Sequence, residues 1–200
     1  MSLKAKTILV GSIAAALAVG SVFIPTSYAV TGNTTVNVNV GSAISISTSS
    51  NINLAITPSG SGSATSASDA VSVSTNNTTG YKLQLADADG ANTLDGSGGN
   101  KINAATGTFA APAALGVNTW GYRVDAVGTF GNGPTVAQNN TASLTGTWAK
   151  VPLSGANDTL KTTASTANND ITTVWYAANV NSTLPNGTYT DIVTYTATTN

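Results

Sequence analysis

"VSVSTNNTTGYKLQL", residues 71–85, decides how this chain folds. Val71 and Val73 alternate with serines, and Tyr81, Leu83 and Leu85 alternate with Lys82 and Gln84. A period of two with one apolar set is the pattern of a strand that buries one face and wets the other. Between the two runs, Asn76–Gly80 gathers residues that turn the backbone, with Gly80 supplying the conformational freedom before Tyr81. The stretch therefore reads as strand, turn, strand.

The same period recurs along the chain. It appears at Val36, Val38 and Val40, at Ile44 and Ile46, and at Ile52, Leu54 and Ile56. It returns at Trp120, Tyr122 and Val124, around Val174 and Tyr176, and at Tyr189, Val193, Tyr195 and Ala197. Turn clusters separate these runs at residues 58–62, 95–100, 131–134 and 185–187. After residue 29 no amphipathic helical pattern of useful length occurs, and no fixed-period repeat suggests a solenoid. The expectation is an all-β protein, an antiparallel β-sandwich of about eight or nine strands, Ig-like or jelly-roll-like, with a barrel as the second choice. Residues 86–118 and 126–170 are weakly patterned and read as long loops or extra short strands. In the closing "NGTYTDIVTYTATTN", residues 186–200, Asp191 and Ile192 interrupt the alternation, which predicts a bulge or a locally exposed edge.

Composition narrows the setting. Charged residues make up 8% of the chain, and the formal net charge is −1. That leaves no basic surface to hold nucleic acid or an anionic membrane. At the N-terminus Lys4 and Lys6 precede an apolar stretch, and Ser27-Tyr28-Ala29 presents small residues where a signal peptidase reads them. Residues 1–29 thus read as a secretory signal helix, cleaved after Ala29, and residues 30–200 as a single domain. The rival reading is an uncleaved anchor, which would be the only link to a membrane. A cleaved chain keeps five basic residues against eight Asp. The absence of Cys means only that an exported domain does without disulfides.

The residue inventory also limits the chemistry. Without His or Cys there is no Ser-His-Asp or Cys-His constellation and no His/Cys zinc site. Without Glu, a hydrolytic carboxylate pair would need two Asp, and no spacing marks one. The expectation is a noncatalytic protein. Two candidate sites remain. Asp87, Asp89 and Asp95 in "DADGANTLDG" offer hard oxygens for calcium, although Ala91 and Gly98 stand where an EF-hand loop needs ligands. The plain alternative is a polar loop with a tight Asp89-Gly90 turn. Trp120, Tyr122, Trp148, Trp175 and Tyr176 offer apolar faces on which a sugar ring or peptide could stack. Against that stands the core, which needs large side chains. Trp175 and Tyr176 are adjacent, so a strand must point them to opposite faces.

Several segments resemble a known family. The signal peptide, "VNVNVGSAISIS" at residues 36–47, "VSVSTNNTTGYKLQL" and the closing "NGTYTDIVTYTATT" are similar, in kind and order, to those of WxL-type and related bacterial surface proteins. Trp120-Gly121-Tyr122 and Trp148-Ala149-Lys150 replace the Trp-x-Leu motif of that family. The resemblance implies a secreted β-sandwich associated noncovalently with the cell wall or with partner surface proteins. Two functional classes follow: an envelope-associated structural or adhesion protein, self-associating or bound to a cell-wall polymer, and a secreted carbohydrate-binding module using exposed aromatics. "LPNGT", residues 184–188, lacks the Thr-Gly order of a sortase signal.

Overall fold

A computed structural model describes residues 28–132 and 135–200. It divides the chain into two units, residues 1–39 and residues 40–200. The secretory leader read over residues 1–29 lies, apart from Tyr28 and Ala29, outside the described residues. Among the described residues no helix is long and apolar enough to cross a membrane.

In the first unit, residues 28–39 carry no regular secondary structure. The strand expected at Val36, Val38 and Val40 is absent: the three side chains are 81%, 79% and 81% exposed. Alternation fixes which face a strand would bury, but a strand also needs a partner for its amides and carbonyls.

The second unit is all-β. Its strands are β1 (Ile44–Ser47), β2 (Ser63–Thr75), β3 (Tyr81–Asp87), β4 (Leu94–Gly96), β5 (Lys101–Ala104), β6 (Thr119–Val124), β7 (Asp158–Thr162), β8 (Ala167–Val180), β9 (Tyr189–Thr190) and β10 (Val193–Thr199). One sheet has seven strands in the order β1-β2-β8-β6-β5-β4-β9; the other has three, β10-β3-β7. Pairing is antiparallel except between β5 and β6, which run parallel. That pair departs from the expected all-antiparallel arrangement. The extra strands β4, β5 and β7 fall inside the two weakly patterned stretches.

The opening stretch does more than turn. Val71 and Val73 lie in β2 of the larger sheet and Tyr81, Leu83 and Leu85 in β3 of the smaller, so Asn76–Gly80 carries the chain from sheet to sheet. Gly80 has φ +84°, and a Cβ there would meet the Thr163 carbonyl oxygen at 2.3 Å. Only glycine fits this passage without displacement. Both ends of the unit are tied to the same turn. The Asn76 amide donates to the Ala43 carbonyl at 3.3 Å, and Thr79 Oγ1 donates to the Asn200 carbonyl at 2.6 Å. The break at Asp191–Ile192 is a second passage, because β9 pairs with β4 and β10 with β3.

One buried cluster draws on both sheets: Val71, Val73, Tyr122, Val124, Val174 and Tyr176 from the larger, Tyr81, Leu83, Leu85 and Leu160 from the smaller. At about 25 cal/mol per Å² of apolar surface, such burial is the main force holding the unit together. Ile52, Leu54 and Ile56 pack against this cluster as their period predicts, yet no strand is assigned to them. Among the bonds in this stretch, the Ala55 carbonyl accepts from Thr65 Oγ1 and the Thr57 amide donates to Asn140 Oδ1. Buried tyrosines find acceptors for their hydroxyls, as a wet tip on an apolar ring requires. Tyr81 donates to Asp170 at 2.8 Å and Tyr122 to Asp158 at 2.7 Å.

Candidate functional site

The five aromatics do not form one platform. Trp120, Tyr122, Trp148 and Tyr176 are 4%, 0%, 0% and 6% exposed, so their rings pack inside. Trp120 Nε1 donates to the Asn92 carbonyl at 3.0 Å, which fixes the ring beneath the loop after β3. Trp148 is enclosed with its Nε1 unpartnered. Trp175 alone among the five is partly exposed, on the face of β8 opposite Val174 and Tyr176.

Register defines what surrounds it. Trp175 stands opposite Ser68 of β2 and Arg123 of β6, and residues opposite in an antiparallel pair share a face. Along β8 the same face carries Thr173 and Ile171, the latter 52% exposed. Small side chains, Ser68, Ala70 and Ser72, lie across from them on β2. The result is a low, open surface with one indole at its margin.

Beyond Trp175 the surface is closed over. Arg123 is only 4% exposed, because residues from the loop after β6 cover it. Its Nη2 donates to Asp125 Oδ1 at 2.8 Å, and Asp125 also accepts from the Thr135 amide and hydroxyl. Burial alone would raise the Asp125 carboxyl, but the Thr135 bonds and the Arg123 charge outweigh it and hold it below its ordinary range. Gly146, at φ +89°, sits against the guanidinium, where a Cβ would come within 1.9 Å of Nη1. Arg123 also lines a hollow of about 200 Å³ with Phe130, Val136 and Gln138. Paired and enclosed in this way, the guanidinium serves the loop before any ligand.

A second hollow, about 290 Å³, lies where the loop after β3 meets the β9–β10 passage, and Asp89, Asp95 and Asp191 line it. Asp95 of the sequence-predicted trio is half exposed and already paired with Lys101 at 2.6 Å. Asp87 and Asp89 do come together, and Asp191 joins them. Asp87 is 2% exposed. Its Oδ1 accepts from the Asp89 amide at 2.8 Å, and Asp191 Oδ1 accepts from the Ile192 amide at 2.7 Å. The other oxygens, Asp87 Oδ2 and Asp191 Oδ2, are buried with no partner. The Asp87 carboxyl is within hydrogen-bonding reach of that of Asp191. Burial, with the neighbouring negative charge adding to it, pushes Asp191 up to about 7 and raises Asp87 as well. Among the described residues no three such side chains converge closely enough to ligate a metal ion by themselves.

Sequence reasoning missed Asp191 as a site residue, since it lies 102 positions after Asp89 in a strand segment. The signal available was the broken alternation at Asp191–Ile192, which marks the passage that brings the carboxylate to Asp87. No family model, curated protein or solved structure matches the chain.

Proposed function

We propose that this is a noncatalytic secreted protein of the bacterial cell surface, a β-sandwich of the WxL-like kind that acts in envelope structure or adhesion. In this reading the two sheets are the layers of the sandwich, and the domain is a spacer whose surface and leading segment make contacts. The observation that carries it is the segment Val36–Val40. Three valines alternate with asparagines, as in a half-buried strand, yet stand 79–81% exposed. A strand-patterned segment without a ladder is suited to add to the edge of another sheet, where main-chain bonds give affinity and alternate side chains give fit. The edges of a second copy or of a neighbouring surface protein supply such a partner.

The test is to express residues 30–200, measure self-association by sedimentation, and fractionate envelopes of the producing cell with salt and mild detergent. Envelope retention together with association that is lost when Val36, Val38 and Val40 are all changed to Asn supports the reading. A wholly soluble monomer with defined glycan affinity overturns it.

That outcome would favour the second reading, a carbohydrate-binding module. Its specific support is Trp175, the one candidate aromatic turned outward, bordered by hydroxyl side chains on an open sheet face. A Trp175→Ala variant that retains full glycan binding would sink this alternative.

A further inference from the structure

We propose that Asp87 and Asp191 bind a divalent cation of the calcium class at the passage from β9 to β10, with Asp89 beside them as a third carboxylate. The case rests on two oxygens. Asp87 Oδ2 and Asp191 Oδ2 are both buried and both unpartnered, in a protein where other buried acids have found donors. Asp69, equally buried, accepts from the Ser49 amide and the Thr48 hydroxyl, and Asp158 accepts from Tyr122. A buried charge without a partner is unfavourable, and two close together are more so. None of Asp87, Asp89 and Asp191 belongs to an ion pair among the described residues. Lys101, the base beside this hollow's Asp95, is already engaged by Asp95 and Thr93.

A shared proton is the competing way to relieve the pair. The response to added calcium separates the two. Asp87 and Asp191 each accept from a following amide through Oδ1, and Oδ2 of each is left buried without a donor. A hard cation that takes six to eight oxygens, including carbonyls and water, tolerates two or three carboxylates and fills the rest elsewhere. A zinc-type ion would need His or Cys, which the chain lacks. The site joins β3, β9 and β10, so an ion there would tie the two sheets together at this end.

The experiment uses residues 30–200, stripped with chelator and titrated with calcium chloride near pH 8. Thermal unfolding and terbium luminescence excited through tryptophan are both read. The expected result is a rise in Tm of several degrees, half-complete between about 0.1 and 1 mM calcium, with a smaller rise for magnesium. Asp191→Asn should weaken binding at least about tenfold, the loss of one anionic ligand. It also removes a like-charge contact, so it should fold. Asp170→Asn should leave binding unchanged, because that carboxylate lies outside this hollow and serves Lys161 and Tyr81. The proposal is overturned if about 5 mM calcium leaves the Tm and the terbium signal unmoved. It is equally overturned if Asp191→Asn responds as the parent does.

Discussion

The hydroxyls of Tyr176 and Tyr195 meet at 2.6 Å, one ring rising from β8 of the seven-stranded sheet and the other from β10 of the three-stranded sheet. The contact is a polar joint across an apolar interior. Tyr176 is 6% exposed, so a lost bond cannot be replaced easily by water. Tyr195→Phe should therefore cost about 1–3 kcal/mol in urea denaturation, the penalty for stranding a buried hydroxyl. Tyr189→Phe is the control, since the Tyr189 hydroxyl donates to the Pro185 carbonyl at an exposed site. It should cost less than about 0.5 kcal/mol, as surface changes generally do.

Removal of residues 188–200 should abolish cooperative unfolding. The truncation takes away β10, which pairs with β3 from Asp87 to Tyr81, together with Tyr195 and the bonds between Asn200 and the turn before β3. The smaller sheet is left with two strands, too few for independent stability. A sharp melt by circular dichroism near that of the parent would refute this.

Two acids should bend the pH profile in opposite senses. Burial raises Asp158 above its ordinary value despite the bond from Tyr122, so the folded state holds the proton more tightly than the unfolded chain. Its contribution is complete below the ordinary carboxylate range and is lost as pH rises through the folded value. Burial also acts on Asp170, but the bonds from Lys161 and Tyr81 outweigh it and lower that acid. Its contribution is present above the ordinary range, about 3.9 for Asp, and is lost as pH falls through the folded value. Urea midpoints between about pH 2 and pH 7 should show Asp170→Asn flattening the acid limb and Asp158→Asn flattening a decline on the rising side. Effects of the same sign from both variants would show the assignment to be wrong.

Trp148 and Trp175 should differ sharply. Trp148→Ala empties a fully enclosed position and should cost about 3–5 kcal/mol, whereas Trp175→Ala, on the outer face, should cost about 1 kcal/mol or less. Iodide quenching offers an independent reading. Trp175 emission should be accessible to the ion, and Trp120 and Trp148 emission shielded.

How far the chain could be read in advance depended on side-chain size. Where apolar residues alternate with polar ones, as at Val71–Leu85 and Val193–Ala197, the strands stand where the pattern put them. Ser63–Ala70 extends β2 by eight residues with almost no apolar side chain, because Ala177, Ala178 and Val180 of β8 provide the packing from across the ladder. That information is 110 or so positions away in the chain. The parallel pairing of β5 with β6 is invisible for the same reason. Val36–Val40 failed in the other direction, with the right period and no partner. At the candidate sites, burial of four of the five aromatics followed from the scarcity of large side chains, while the Asp191 contact depended on where two sheets exchange a chain.

Ala43, just before β1, and Asn200, just after β10, are both fastened to a single turn, Asn76–Gly80, from which β3 runs to Asp87. Seven residues of strand span roughly 20 Å. The segment entering β1 and the last strand thus meet at one end of β3, and the Asp87–Asp191 passage lies at the other. Asp87, with its Oδ2 enclosed, stays buried at that far end of β3, about one strand length from the turn.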